Sequence, residues 1–236
     1  LRGFTRTIPS FLMAYGDQET RLENFDKIVP PDVFEEVTGT SIEWFRRLRD
    51  GYDYQEEDEN GNELPGEEHR KHFEGHLFDN VVFNDSCAEF LKKKENLANW
   101  FNDNHREDIF DYIPPQKTNQ IFTPKKVVKD MVDMLEEENP NCFDDANATF
   151  ADLYVKSGLY ITEIVKRLMA SSEMKRLYPI EHDRLKHIFE KQVYGLAPTE
   201  IIYRIAHEYI FGFDKTGDIS DKHFKQVDSL PLAKDG

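Results

Sequence analysis

Cysteine is scarce in this chain: Cys87 and Cys142 are the only two among 236 residues. Two thiols make neither a disulfide scaffold nor a metal knuckle, so the composition points to a reducing, cytoplasmic setting. Long apolar runs are missing as well. No stretch approaches the roughly 18–20 residues that cross a bilayer. The opening LRGFTRTIPSF is too polar for a secretory leader, and with no initial Met it reads as the start of a piece of something longer. Basic side chains are outnumbered, 30 against 46 acidic ones, for a formal charge of -16. That balance argues against a free-standing module gripping DNA through a broad basic face, since Lys and Arg neutralising phosphates supply most of such binding. It leaves room for one part of a DNA enzyme whose basic surfaces lie elsewhere.

What is present is a globular composition. Aromatics reach 13%, with 18 Phe, which excludes a disordered acidic tail because that much apolar surface offsets chain entropy. The acidity is uneven. Residues 1–115 hold 13 basic and 26 acidic side chains, net -13, whereas residues 116–236 hold 17 and 20, net -3. Together with Pro114-Pro115, this shift marks a boundary between an acidic part, 1–112, and a nearly neutral part, 113–236.

The first part reads as helical pieces. Phe34 and Val37, then Ile42, Phe45 and Leu48, recur at about three-residue steps, with Ser41 as N-cap of the second piece. GYDYQEEDENGNELPGEE (51–68) carries acid, Gly and Pro without periodicity and is expected to be a surface loop. Cys87, Phe90, Leu91, Leu97 and Phe101 mark further helix. The second part alternates strands and helices. TFADLYV (149–155), QVYGLA (192–197) and HFKQVD (223–228) read as strands, the first ending as early as Asp152. Ile161, Ile164, Val165 and Leu168 form one helical face, and Ile201, Ile202, Ile205 and Tyr209 another. Strand–helix–strand–helix is the pattern of a parallel sheet with crossover helices.

Three segments carry chemistry. Gln120-Ile121-Phe122-Thr123-Pro124 opens a helix from Lys125 to Leu135, with Thr123 as N-cap, Pro124 in the first turn, and Val127, Val128, Met131 and Leu135 buried. A helix start offers free backbone N–H groups to a carboxylate or phosphate, although a well-capped structural helix has the same pattern. Phe150-Ala151-Asp152-Leu153-Tyr154-Val155-Lys156-Ser157-Gly158 runs from a strand through a tight turn into a helix, which is where open α/β sheets bind ligands. It is neither a G-x-G-x-x-G fingerprint nor a phosphate loop, since Gly158 is its only glycine. Val193-Tyr194-Gly195-Leu196-Ala197-Pro198-Thr199 is a third strand-to-helix turn.

In this order the three segments resemble DNA adenine-N6 methyltransferases, specifically the methyltransferase region of large restriction–modification polypeptides. The resemblance covers about residues 114–228, and QIFTPKKVVKDMVDML is its most specific part. It implies a mixed α and α/β fold: a helical N-terminal part, then an incomplete Rossmann-like methyltransferase sheet forming the N-terminal half of an S-adenosylmethionine-binding domain over 113–236. It also implies cofactor contacts at Phe122, Thr123 and Pro124, at Asp152, Ser157 and Gly158, at Gly195 and at Asp228. The chain departs from the pattern at Leu153 and Lys156, where the family has Pro and Gly, and at Ala197, where a ribose-binding carboxylate is expected. Glu200, one helical turn on, is the nearest substitute.

The family's catalytic (Asn/Asp/Ser)-Pro-Pro-(Tyr/Phe) turn, which holds a flipped adenine, is absent. The only Pro-Pro pairs are Pro30-Pro31 and Pro114-Pro115, and neither has the required flanks. No catalytic residue is therefore assigned, and the chain alone is expected to be inactive. LRGFTRTIPSFLMAYGD resembles the segment after helicase-like motor domains in the same polypeptides, which would make 1–112 an acidic helical connector. The partners implied are double-stranded DNA through the parent enzyme and other domains of the same polypeptide, with no membrane. Two rival readings stand beside this one. The first is a degenerate Rossmann-like coupler between motor and DNA-recognition modules that binds no cofactor, supported by Lys156 and Ala197. The second is an acidic helical adaptor with accidental motif matches. No metal is expected. His69, His72 and His76 would share one helical face, but they lie in a charged stretch without Cys, and Asp58-Glu59-Asn60-Gly61 lacks the ligand register of a calcium loop.

Overall fold

A computed structural model describes residues 2–101, 113 and 122–234. The chain begins with α1 (Arg2–Tyr15), then α2 (Phe25–Ile28), α3 (Pro31–Thr38) and α4 (Ile42–Asp50). A hairpin of β1 (Tyr52–Gln55) and β2 (Arg70–Phe73) leads into α5 (Asn80–Ala98). After α6 (Lys125–Glu138) come β3 (Phe150–Asp152), α7 (Leu159–Ala170), α8 (Ser172–Leu177) and α9 (Glu181–His187). The chain then runs through β4 (Val193–Ala197), α10 (Glu200–Phe211), β5 (Phe224–Gln226) and α11 (Ser229–Lys234). The fold is thus mixed helix and sheet, and no described helix is long and apolar enough to cross a membrane.

Packing divides the chain into two compact units, Gly16–Glu89 on one hand and Leu1–Tyr15 with Phe90–Gly236 on the other. The first helix therefore packs with the C-terminal residues. Pro114-Pro115 lies outside the described residues.

The Gly16–Glu89 unit is held by rings. Phe25 meets Phe45 and Phe83 at 5.5 Å between centroids, and Phe45 meets Phe78 at 5.1 Å. Asp26 lies beside this cluster, 5% exposed, with Arg46 and Arg49 each 2.6 Å away. Burial works against its ionisation, but the two guanidiniums outweigh it and hold the carboxyl below its usual range. Ser41 takes the N-cap position of α4, as expected, without a side-chain bond to the helix. The expected loop over 51–68 is instead part of a hairpin: Tyr52–Gln55 pairs antiparallel with Phe73–Arg70. Beyond it a tight Asp-Glu-Asn-Gly turn brings Glu57 opposite Glu63. Asp58 Oδ1 accepts from the N–H groups of Asn60 and Asn62, and Gly61 supplies the positive φ of +80°. The three histidines do not share a helical face. His69 closes a 3₁₀ turn, His72 lies in β2 and His76 sits in a turn with φ +55°. Among the described residues no cluster could hold a metal ion.

In the other unit, β3, β4 and β5 form a parallel sheet in that order. The strands are short but their inward residues are well covered. Phe150, Val193, Gly195, Ala197 and Phe224 are buried, while Ala151, Tyr194 and Lys225, which point the other way, are exposed. The periodic faces behave as their spacing predicts. Ile161, Ile164, Val165 and Leu168 of α7 are buried, as are Ile201, Ile202, Ile205 and Tyr209 of α10. Each such side chain contributes about 1.5–3 kcal/mol of burial free energy. α7 packs on β3 and β4, α10 on β4 and β5, and α1 on α10. A five-residue π-helix, Ile188–Gln192, enters β4, and the buried Gln192 donates to Asp145 O and Ala148 O.

The helix after the Phe-Thr-Pro segment differs in detail from its expected form. Val128 and Val132 are its buried residues, whereas Val127 and Met131 are 41% and 49% exposed and Leu135 is half-buried. The cause is the narrowness of the seam: among the described residues the main partner of α6 is α7, and the i, i+4 pair Val128 and Val132 fills that contact. Charge completes the contact. Arg167 of α7 pairs with Asp133 and reaches Glu136 at 2.9 Å and its own helix's Glu163 at 3.0 Å.

Candidate functional site

In a parallel sheet all strands exit at one edge, so the turns after β3, β4 and β5 are neighbours. Hydrogen bonds tie these exits together. Val155 N–H donates to Leu196 O at 2.8 Å, Val227 N–H to Ala197 O at 2.8 Å, and the Ser229 hydroxyl to Leu153 O at 2.5 Å. The arrangement brings Asp152–Gly158, Ala197–Glu200 and Val227–Ser229 to the same edge.

Asp152 ends β3 and pairs in register with Gly195. Its Oδ1 accepts from Tyr154 N–H at 3.0 Å, closing an Asx turn. Burial pushes its pKa up, against that N–H bond and the Lys156 charge, which pull it down. A carboxyl raised by desolvation at the exit of a parallel strand is poised to gain from a cationic or hydrogen-bond-donating partner. Lys156 lies with its Nζ 5.8 Å from the Tyr154 ring centroid. Ser157 is buried, 6% exposed, and its Oγ accepts from Leu159 N–H at 3.3 Å, capping α7. Gly158 takes φ +87°, and a Cβ there would meet Ile210 Cγ1 at 2.7 Å. This glycine is therefore required both by the turn and by the close approach of α10.

Gly195 does not sit where its strand turns. β4 continues through Leu196 to Ala197, and a Cβ on Gly195 would meet the Phe224 ring at 2.1 Å. The missing side chain makes room for a ring of the neighbouring strand. Compared with protein-family models, curated proteins and solved structures, the chain matches none. The chemistry must therefore be argued from the geometry.

Ala197 is fully buried, and the nearest carboxylate after β4 is Glu200 in the first turn of α10. Its Oε1 accepts from the Tyr15 hydroxyl at 3.1 Å and lies 3.8 Å from Arg204. Sequence reasoning had no signal for Tyr15, which α1 brings from 185 positions away. Thr199 occupies the N-cap position of α10, yet its Oγ1 is buried with no hydrogen-bond partner among the described residues. Asp228 is exposed, and its Oδ1 accepts from Leu230 N–H at 3.0 Å.

At α6 the cap is displaced by one residue. Pro124, not Thr123, occupies the N-cap position, with φ -57° and ψ 145°, and no side chain caps the helix. A proline ring leaves no side-chain acceptor, and Pro124 O instead takes the first helical bond, from Val128 N–H at 3.1 Å. Phe122 and Thr123 are half-buried. Gln120 and Ile121 fall outside the described residues.

Proposed function

We propose that this chain carries the cofactor-binding half of an adenine-N6 DNA methyltransferase region, preceded by a connector, within a restriction–modification polypeptide. The observation that supports this best is the sheet edge. A strand ending in Asp152, a tight turn with Gly158 at positive φ, and a helix start lie beside the exits of two further parallel strands. Neighbour order β3-β4-β5 with intervening helices is also that of one half of a doubly wound, Rossmann-like sheet.

The residues fit S-adenosylmethionine unevenly. At Asp152–Gly158 they fit its amino-acid end. The Asp152 carboxylate would accept from the ammonium, and the turn leading into α7 presents backbone N–H groups to the carboxylate. Thr123 and Phe122 would border the same end. When bound, the cofactor supplies an electrophilic methyl group, and the chain's own residues hold and orient its amino-acid end. Gly195 does not fit the assignment, because Phe224 already occupies the space its missing side chain leaves.

That misfit favours a second reading: a Rossmann-like coupler, without cofactor, between motor and DNA-recognition modules of the parent polypeptide. Titration calorimetry of the chain with S-adenosylmethionine separates the two. The methyltransferase reading expects saturable heat that Asp152→Ala and Thr123→Ala each reduce. Absence of heat, or affinity unchanged in both variants, rejects the site proposed here and leaves the coupler.

A further inference from the structure

In the hairpin of the Gly16–Glu89 unit, Tyr54, Glu57 and Glu63 are exposed. Residues 16–89 carry 21 acidic and 7 basic side chains, net -14, so nearly all the chain's charge resides in this unit. The hairpin's basic side chains are already engaged. Arg70 and His72 lie 3.4 and 2.7 Å from Asp53, and Lys71 and His69 lie 3.7 and 3.2 Å from Glu56. Glu57 and Glu63 face one another across the strand bridge with no cationic partner among the described residues. Like charges directly opposite each other destabilise a strand pair, so the fold gains nothing from this placement.

Beside these acids lies an aromatic surface. Tyr52 and Tyr54 share a face of β1, with rings 5.8 Å apart, and Trp44 of α4 meets Tyr52 edge-on at 5.8 Å. Trp44 and Tyr54 are 43% and 44% exposed. The protein's own Arg47 shows what this surface accepts: its guanidinium lies 5.3 Å from the Tyr52 ring and 5.8 Å from Trp44. Tyr54, the next ring along, faces Lys71 across the strands, but that ammonium turns to Glu56, 3.7 Å away, and leaves the ring itself without a stacked guanidinium among the described residues. Arg47 at one end and Tyr52, Tyr54, Glu56, Glu57 and Glu63 line one open groove of about 810 Å³, so acids outnumber the single arginine among them.

We propose that this groove docks a basic, arginine-bearing polypeptide segment, one guanidinium stacking on Tyr54 while others pair with Glu57 and Glu63. Charge complementarity excludes a nucleic-acid backbone or an anionic membrane. The pairing of an aromatic face with carboxylates selects arginine over lysine, because the planar guanidinium stacks and hydrogen-bonds in a fork, whereas an ammonium is a hydrated point charge. Docking would fill the surface and relieve the Glu57–Glu63 repulsion together. The proposal is independent of whether the sheet edge binds a cofactor.

The test uses the full chain and a short fluorescein-labelled arginine-rich peptide, beside its counterpart with every arginine replaced by lysine, read by anisotropy. The arginine peptide is expected to bind about threefold tighter or more, and Tyr54→Ala to weaken it about two- to fivefold, the worth of one exposed cation–π contact. Glu63→Gln should weaken both peptides more than Glu59→Gln, a change of equal charge at the turn outside the groove. Tyr54 is exposed, so its loss leaves the fold intact, and thermal unfolding of each variant checks this. Equal affinity for the two peptides, indifference to Tyr54→Ala, or equal effects of the two Glu→Gln changes would mean diffuse attraction and overturn the proposal. So would self-association of the chain that Tyr54→Ala abolishes, which would make a second copy the occupant.

Discussion

Replacing Gly195 by alanine asks whether this glycine serves a ligand or the sheet. The added Cβ would lie 2.1 Å from Phe224 Cε2 and 2.4 Å from Cδ2, far inside van der Waals contact. The ring has little freedom to retreat: it is 6% exposed and packs near Tyr203 and Phe211, each with centroids 6.0 Å away. Overpacking of this kind costs about 1–3 kcal/mol. In a Phe224→Ala background, itself destabilised by about 3–5 kcal/mol, the clash disappears. There the substitution should gain about 0.5–1 kcal/mol, because alanine loses less backbone entropy than glycine in a strand. The effect of Gly195→Ala should therefore swing by about 2–4 kcal/mol between backgrounds, a coupling that a double-mutant cycle isolates. Urea unfolding followed by far-ultraviolet dichroism measures it through shifts in midpoint at constant slope. If Gly195→Ala costs the same in both backgrounds, or almost nothing in either, the ring is not what keeps residue 195 a glycine.

Two further outcomes follow from the charges. Asp26→Ala should destabilise the Gly16–Glu89 unit by about 1.5–3 kcal/mol, because two guanidiniums lose a 5%-exposed partner while Arg46 keeps Glu43 and Arg49 keeps Asp50; a midpoint shift worth less than about 0.5 kcal/mol would contradict the packing described. Because the Asp26 pKa is lowered, its contribution is present above the ordinary carboxylate range and is lost as pH falls through the folded value. Asp152 behaves oppositely. Burial raises its pKa, so the native state binds the proton more readily and stability declines as pH climbs through the raised value. Asp152→Asn should thus raise the melting temperature at pH 7, with the gain vanishing at pH values below the ordinary aspartate range; no gain at pH 7 would show that this carboxyl is not strained by burial.

The C-terminal sheet was legible because its signals are local and strong. The faces of α7 and α10 repeat at helical spacing, and β3, β4 and β5 fall within the expected segments. The hairpin was not. Tyr52 and Tyr54 alternate with Asp53 and Gln55, but a run of four residues is too short to stand out beside an acidic turn with Gly and Pro, and the whole stretch read as loop. At α6 the apolar count exceeded what the seam could hold, since Arg167 and three carboxylates fill the remainder. The site residues divide by the same logic. Asp152, Ser157 and Gly158 come together because one turn contains them. The ring behind Gly195 comes from 29 positions downstream, and Tyr15 reaches Glu200 from another helix altogether. Neither relation leaves a trace in spacing.

The knitting of the strand exits bears on how the chain can be shortened. Phe150 pairs with Val193, 43 positions on, and the Ser229 hydroxyl returns to Leu153 from 76 positions away. An excised peptide spanning Asp152–Gly158 keeps its local Asx turn but loses the bonds to Leu196 and Ser229 that fix it at the sheet edge. The tolerance runs the other way inside the crossovers, where doubling a loop's length adds only about 0.6 kcal/mol of closure entropy. Between α7 and β4 the chain can thus take insertions that its strand ends cannot.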